Sequence, residues 1–242
     1  MTRFFRFSIF RSSIFLSSRP PLATWLPLGL LVTFIGLIAT PTTTGQAERV
    51  ISIAEARKLA PGASVTIDGS VSTPSGAFES SFSDKGFGLQ DRSAGIYIST
   101  PANLNVAPPK RARVSGVLKD QSGLLVLVPA DANGVKVEGD GPKIEPKQIK
   151  TSTVGEATEG WIVRVTGKVS QAPASDGPYG FKFSVNDGSG DALIFVNVQT
   201  KISMNDLKLG QAVSVTGFSS QYDTHYEIDP RSPADISAAR SN

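Results

Sequence analysis

Trp161-Ile162-Val163-Arg164-Val165-Thr166-Gly167-Lys168-Val169 decides how the chain is read. Val163, Val165, Gly167 and Val169 alternate with Arg164, Thr166 and Lys168, the period of a strand with one buried face. Phe181, Phe183 and Val185 form a second alternating run that ends in the turn residues Asn186 to Asp191. The chain then returns through the apolar run Leu193 to Val198, so the pair reads as a hairpin. A short helix-like segment around Met204 to Leu209, closed by Gly210, precedes a third period-2 strand, Val213 to Phe218. A last strand near Tyr226 to Asp229 makes five.

The same order occurs about a hundred positions earlier. Ile51, Gly62, Val65, Ile67, Gly69 and Val71 lie 98 residues before Ile149, Gly160, Val163, Val165, Gly167 and Val169. Phe87, Leu89 and Asp91 precede Phe183, Val185 and Asp187 by 96, and Ile96, Tyr97 and Ile98 precede Ile194, Phe195 and Val196 by 98. Val114, Gly116 and Pro129 precede Val215, Gly217 and Pro230 by 101. The first two changes of offset are even, which keeps every side chain on its own face, because a one-residue slip would exchange inside for outside. The chain therefore carries two copies of one five-stranded unit. The expected organisation is an N-terminal segment (1–47), a first unit (48–141), a second unit (142–238) and a short tail (239–242), with the Gly- and Pro-rich stretch 139–146 as linker.

The N-terminal segment contains Arg3, Arg6, Arg11 and Arg19, no acidic residue, an apolar run from Leu22 to Ala39, and Gly45-Gln46-Ala47 as a small-residue cleavage motif. This pattern reads as an export signal. The alternative is an uncleaved anchor, with residues 22–39 as the membrane contact. Export to the periplasm or the outside, or attachment to the membrane, is the expectation. The formal charge of +3 includes those four arginines; without them 20 basic residues face 21 acidic ones. The body of the protein is thus near neutral and lacks the whole-domain basic footprint of many nucleic-acid binders. Lys110-Arg111-Ala112-Arg113 is its one dense basic cluster, read either as a binding patch or as a solvated strand end. The absence of cysteine excludes disulfides, thiolate zinc and cysteine catalysis.

In the first unit, Ser52 and Glu55 stand in capping-box spacing before Pro61-Gly62, which predicts one or two helical turns. Strands follow at 65–73, 87–98 as a hairpin, 112–119 and 124–128, with a loop from Pro74 to Lys85 that contains Phe78 and Phe82. Five strands with a long first loop and a hairpin between strands four and five is the order of an OB-fold. The expected fold class is all-β, two tandem OB barrels.

Val163-x-Val165-x-Gly167-x-Val169, Phe183-x-Val185-x-Asp187-Gly188-Ser189-Gly190 and Leu209-Gly210-x-x-Val213-x-Val215-x-Gly217 resemble nucleic-acid-binding OB domains of aminoacyl-tRNA synthetases and single-strand-binding proteins. The opening from Ile51, with Val65 to Val71 and Asp91 to Ile98, is similar to OB domains that accompany secreted bacterial nucleases. The resemblance implies a fold more than a ligand, since the matching residues build the barrel.

OB domains bind on the outer face of strands two and three, between the first loop and the loop joining strands four and five. Strand phase places Tyr97 and Phe195 outward at equivalent positions there, either as stacking platforms or as rings covered by a neighbouring domain. Arg164, Lys168 and Lys182 share the outward phase, and Arg111 and Arg113 add cations on the first unit. The first unit, with Thr66, Asp68, Ser70 and Gly88 on that phase, is expected to be the weaker binder.

No catalytic constellation is visible. His225 is the single histidine, no Gly-x-Ser-x-Gly elbow occurs, and Asp187-Gly-Ser-Gly-Asp191 lacks the spacing of an EF-hand loop. The expectation is a non-enzymatic binding protein without cofactor or metal. Its partner is expected to be single-stranded DNA or RNA, with a protein or oligosaccharide ligand as the alternative.

Overall fold

Residue 49 is the first and residue 239 the last described in this computed structural model. The export or anchor segment, 1–47, and the last residues of the tail lie outside the described residues. Among the described residues no helix is long and apolar enough to cross a membrane.

The first elements follow directly from local chemistry. After β1 (Val50–Ile51), Ser52 Oγ accepts from Glu55 N at 3.2 Å and the Glu55 carboxylate accepts from Ser52 N at 2.9 Å. This closes the capping box on α1 (Ile53–Ala56), whose Ile53 and Ala56 enter the first core. The barrel is made of β2 (Ser64–Val71), β3 (Phe87–Gln90), β4 (Gly95–Ile98), β5 (Lys110–Gln121) and β6 (Leu124–Val128). Its order is β2-β3-β4-β6-β5, and β5 pairs back onto β2 to close it. Inside lie Val65, Ile67, Phe87, Leu89, Ile96, Ile98, Val114 and Leu118. The helix α2 (Glu79–Phe82) stands in the first loop, and β7 (Val135–Asp140) runs along β5.

The second barrel repeats this plan. A two-residue strand, β8 (Lys147–Gln148), lies beside β9 (Ile162–Ser175); then come β10 (Gly180–Asn186), β11 (Asp191–Asn197), β12 (Ala212–Tyr222), β13 (His225–Asp229) and β14 (Ile236–Ala238). The order β9-β10-β11-β13-β12 closes through β12 on β9. In both barrels strand three pairs parallel with strand five, so the all-β, tandem OB reading holds. Strand pairing passes from the first sheet to the second between Asp140 and Lys147.

The repeated glycines have one job in each copy. A Cβ on Gly69 would lie 2.8 Å from Gln90 O, and one on Gly167 2.5 Å from Asn186 O. On strand four, a Cβ on Gly116 would meet Val128 O at 2.6 Å, and one on Gly217 would meet Asp229 O at 2.5 Å. Each glycine lets one backbone cross close above another where the barrel curls. The repeated aspartates also agree. Asp91 accepts from Ile53 N, Ser93 N and Ala94 N, while Asp187 accepts from Thr151 N and Oγ1 and from Ser189 N. Each ties the segment entering its barrel to the turn after strand two. Hydrogen bonds from Ser189 and Thr151 hold the Asp187 carboxyl far below the ordinary carboxylate range.

One expected element is absent. Residues 204–209 form turns rather than a helix. Six residues barely cover the cost of nucleating a helix, and Ser203 Oγ takes the backbone N–H of Asn205. Met204 and Leu207 still pack on the second core from these turns.

The barrels meet in a close contact. Gly160, at φ +81°, places its backbone against that of Gly95, where a Cβ on either would fall within 2.2 Å of the other's carbonyl oxygen. Ile162 N donates to Gln90 Oε1 at 2.9 Å, and Arg57 pairs with the buried Glu159 at 2.9 Å. Above them Phe78, Phe82, Tyr97, Leu124, Val126, Ile162 and Phe218 form a shared apolar cluster.

Candidate nucleic-acid interface

The two barrels treat their ligand faces differently. Tyr97 leaves the interior of its barrel, as strand phase requires, but it is only 1% exposed. Phe82 of α2 packs edge-on against it with centroids 4.5 Å apart, and Phe218 of the second barrel approaches from the other side at 6.1 Å. Its hydroxyl donates to Asp84 at 2.8 Å. The expectation of an exposed stacking platform at Tyr97 is therefore corrected. The first loop folds its own aromatics onto the face, and the second barrel seals it.

The matching face of the second barrel lies at the floor of a groove of about 560 Å³. Lys182 and Phe195 are cross-strand partners on β10 and β11, and Leu193 on β11 pairs with Glu227 on β13. All four side chains line the groove. Phe195 is 7% exposed, so the reading of it as a free platform is corrected too. The ring forms part of the groove floor.

The exposed rings come from the flanking loops instead. Tyr179, in the loop between β9 and β10, and Tyr222, at the turn between β12 and β13, are each 54% exposed. Tyr222 meets His225 edge-on at 5.8 Å. Sequence reasoning missed both tyrosines, although their signal was available: one tyrosine stands in each loop that borders an OB ligand face.

The electrostatics of the groove are mixed. Lys182 Nζ pairs with Asp176 Oδ1 at 2.8 Å, and His225 Nε2 lies 3.7 Å from Glu227 Oε2. Burial pushes the Glu227 carboxyl up to about 7, against the attraction of Lys182 and with the repulsion of Asp176. Asp229, fully buried beneath it, is held well above the carboxylate range by burial and by the charge of Glu227. Asn197 links this buried pair to the first barrel, donating to Asp229 Oδ1 at 3.4 Å while accepting from Ser80 and Ser81.

The other expected cations lie elsewhere. Arg164 and Lys168 are exposed on the outer face of β9, opposite Thr216 and Ala212 of β12; Arg164 Nε donates to Thr216 Oγ1 at 2.8 Å. Lys168 pairs with Asn186, four residues along β10 from Lys182. In the first barrel the corresponding face is neutralised. Arg111 and Arg113 both reach Asp68 and Glu138, at 2.5 to 3.9 Å. These two arginines are paired with carboxylates of their own sheet, on the first barrel and away from the groove that Lys182 lines. The residue 98 positions after Asp68 is Thr166, so the second barrel offers no such partner there.

No family model matches the chain. It is 27% identical over 212 residues to Endonuclease YhcR of Bacillus subtilis (strain 168). That match covers 82% of this chain and 17% of the endonuclease, so the chain spans about a sixth of its relative's length. Solved structures with similarity include a murine DNA-binding protein bound with double-stranded DNA, 13% identical, TM-score 0.38, covering 73% of this chain and 97% of that one. Another is an OBody bound to hen egg-white lysozyme, 17% identical, TM-score 0.33, covering 41% of this chain and all of that one.

Among the described residues no group of three or more histidine, cysteine, aspartate or glutamate side chains is placed to hold a metal ion.

Proposed function

We propose that the chain is an exported, non-catalytic OB-fold module that binds single-stranded nucleic acid in the groove of its second barrel. One observation carries this reading: two half-exposed tyrosines, on the two loops that border strands two and three, stand beside Lys182 over an otherwise covered OB ligand face. Bases stack on such rings whatever their identity. Lys182, with Arg164 and Lys168 on the adjoining face of β9, supplies cations for phosphates. The match to a stretch of an endonuclease supports a role beside nuclease chemistry carried by other residues or another chain. Export rests on the sequence of residues 1–47, and cell fractionation tests it.

Replacing Tyr179 and Tyr222 by alanine should leave folding nearly unchanged and weaken binding of oligo-dT by roughly 1 to 3 kcal/mol per stacked base. Fluorescence titration checks this, and unchanged affinity in the double variant removes the stacking role. A second reading, an oligosaccharide ligand, is favoured by the carboxylates of Asp176 and Glu227 beside the tyrosines. Binding of neutral oligosaccharides without binding of oligo-dT would select it.

A further inference from the structure

The first barrel walls one side of the groove and is bridged to the second barrel at both edges of that wall. At one edge the tips of the two hairpins meet: Asp223 N donates to Ser122 O at 2.6 Å, and a Cβ on Gly123 would lie 2.5 Å from Gln221 Nε2. At the other edge α2 is fastened to the end of β11. The hydroxyls of Ser80 and Ser81 donate to Asn197 Oδ1 at 2.8 and 2.6 Å, and Ser80 N donates to Gln199 Oε1 at 3.2 Å. Between these two bridges Gln121 Nε2 donates to Phe82 O at 2.9 Å, and Phe82, Gln121, Ser122 and Leu124 line the groove from the first barrel. A polymer lying on β10 and β11 has no exit through the first barrel.

Size and charge point the same way. About 560 Å³ falls within the roughly 300–1,000 Å³ of pockets that enclose a small ligand. An internal stretch of nucleic acid would bring one phosphate per nucleotide into a space that holds Glu227 and Asp176, with Lys182 already engaged by Asp176. A terminal nucleoside brings a single phosphodiester and a free hydroxyl. The Asp176 carboxylate can accept from that hydroxyl and repels additional phosphate.

We propose that the groove takes the end of a nucleic-acid strand: a terminal nucleoside, its base at Tyr179 and Tyr222, its hydroxyl on Glu227 or Asp176, and its one phosphodiester towards Lys182. This rests on the nucleic-acid reading of the same groove. In this arrangement the first barrel is the stop that makes a blind pocket out of an OB cleft, and its α2 loop and hairpin turn belong to the site.

The test uses internally labelled oligo-dT of about 16 nucleotides, the upper span of one OB fold. The full chain is titrated with the linear strand, the same strand closed into a circle, and the linear strand phosphorylated at both ends. The linear strand should bind about tenfold more tightly than the circle, the worth of one stacked terminal base. End phosphorylation should also weaken binding. Equal affinity for line and circle overturns the end-binding proposal while leaving nucleic-acid binding intact. Failure of both to bind overturns the nucleic-acid reading and this proposal with it.

Discussion

Glu227→Gln should stabilise the fold at pH 8, by on the order of 1 to 3 kcal/mol, and by almost nothing at pH 4, a difference read from denaturant unfolding at the two pH values. The sign follows from the direction of the shift. Burial raises the Glu227 carboxyl from 4.5 to about 7, so the folded chain holds this proton more tightly than the unfolded one. Below the unfolded value the side chain is neutral in both states and costs nothing. As pH rises from 4.5 through 7, the unfolded chain ionises first, and stability declines until the folded carboxyl ionises as well. Glutamine keeps the shape and polarity without the charge. A gain of equal size at both pH values would mean that Glu227 ionises freely where it stands.

Phe183→Ala should cost about 3 to 5 kcal/mol, because a ring buried among Val165, Ile194 and Val215 leaves a cavity that strands cannot close. Its counterpart Phe87 holds the same place in the first core, so Phe87→Ala should cost a similar amount. Chemical denaturation measures both. A loss below about 1 kcal/mol at either position would remove that ring from the core and upset the strand register built on it.

That register is legible in the sequence. The alternation around Val163 and its echo around Val65 fixed which side chains point inward, and even the glycines on strands one and four recur because both barrels need the same close crossings. The site was only half legible. Phase correctly put Tyr97 and Phe195 outside their cores, yet phase cannot say what lies above an outward side chain. Phe78 and Phe82, two large rings in a loop otherwise rich in serine, were the available sign that the first loop covers something. Arg111 and Arg113 show a second blind spot. Their partners Asp68 and Glu138 are distant in sequence and become neighbours only when β2 and β7 flank β5. The helix expected at 204–209 shows a third, since apolar spacing over six residues does not distinguish a helical turn from a chain of turns packed on the core.

In the proposed account one groove, floored by the second barrel and walled by the first, binds a single strand, with Lys182 in the groove and Arg164 and Lys168 on the adjoining face of β9 supplying cations. The measurement is a titration of the chain and of its Lys182→Ala, Arg164→Ala, Lys168→Ala triple variant with oligo-dT over a salt series. Each phosphate contact on a single strand adds about 0.7 to the slope of log affinity against log salt, so the triple variant should lose about 2 from that slope. One strand should bind per chain. Two strands per chain, or slopes that coincide for the two proteins, would contradict the account.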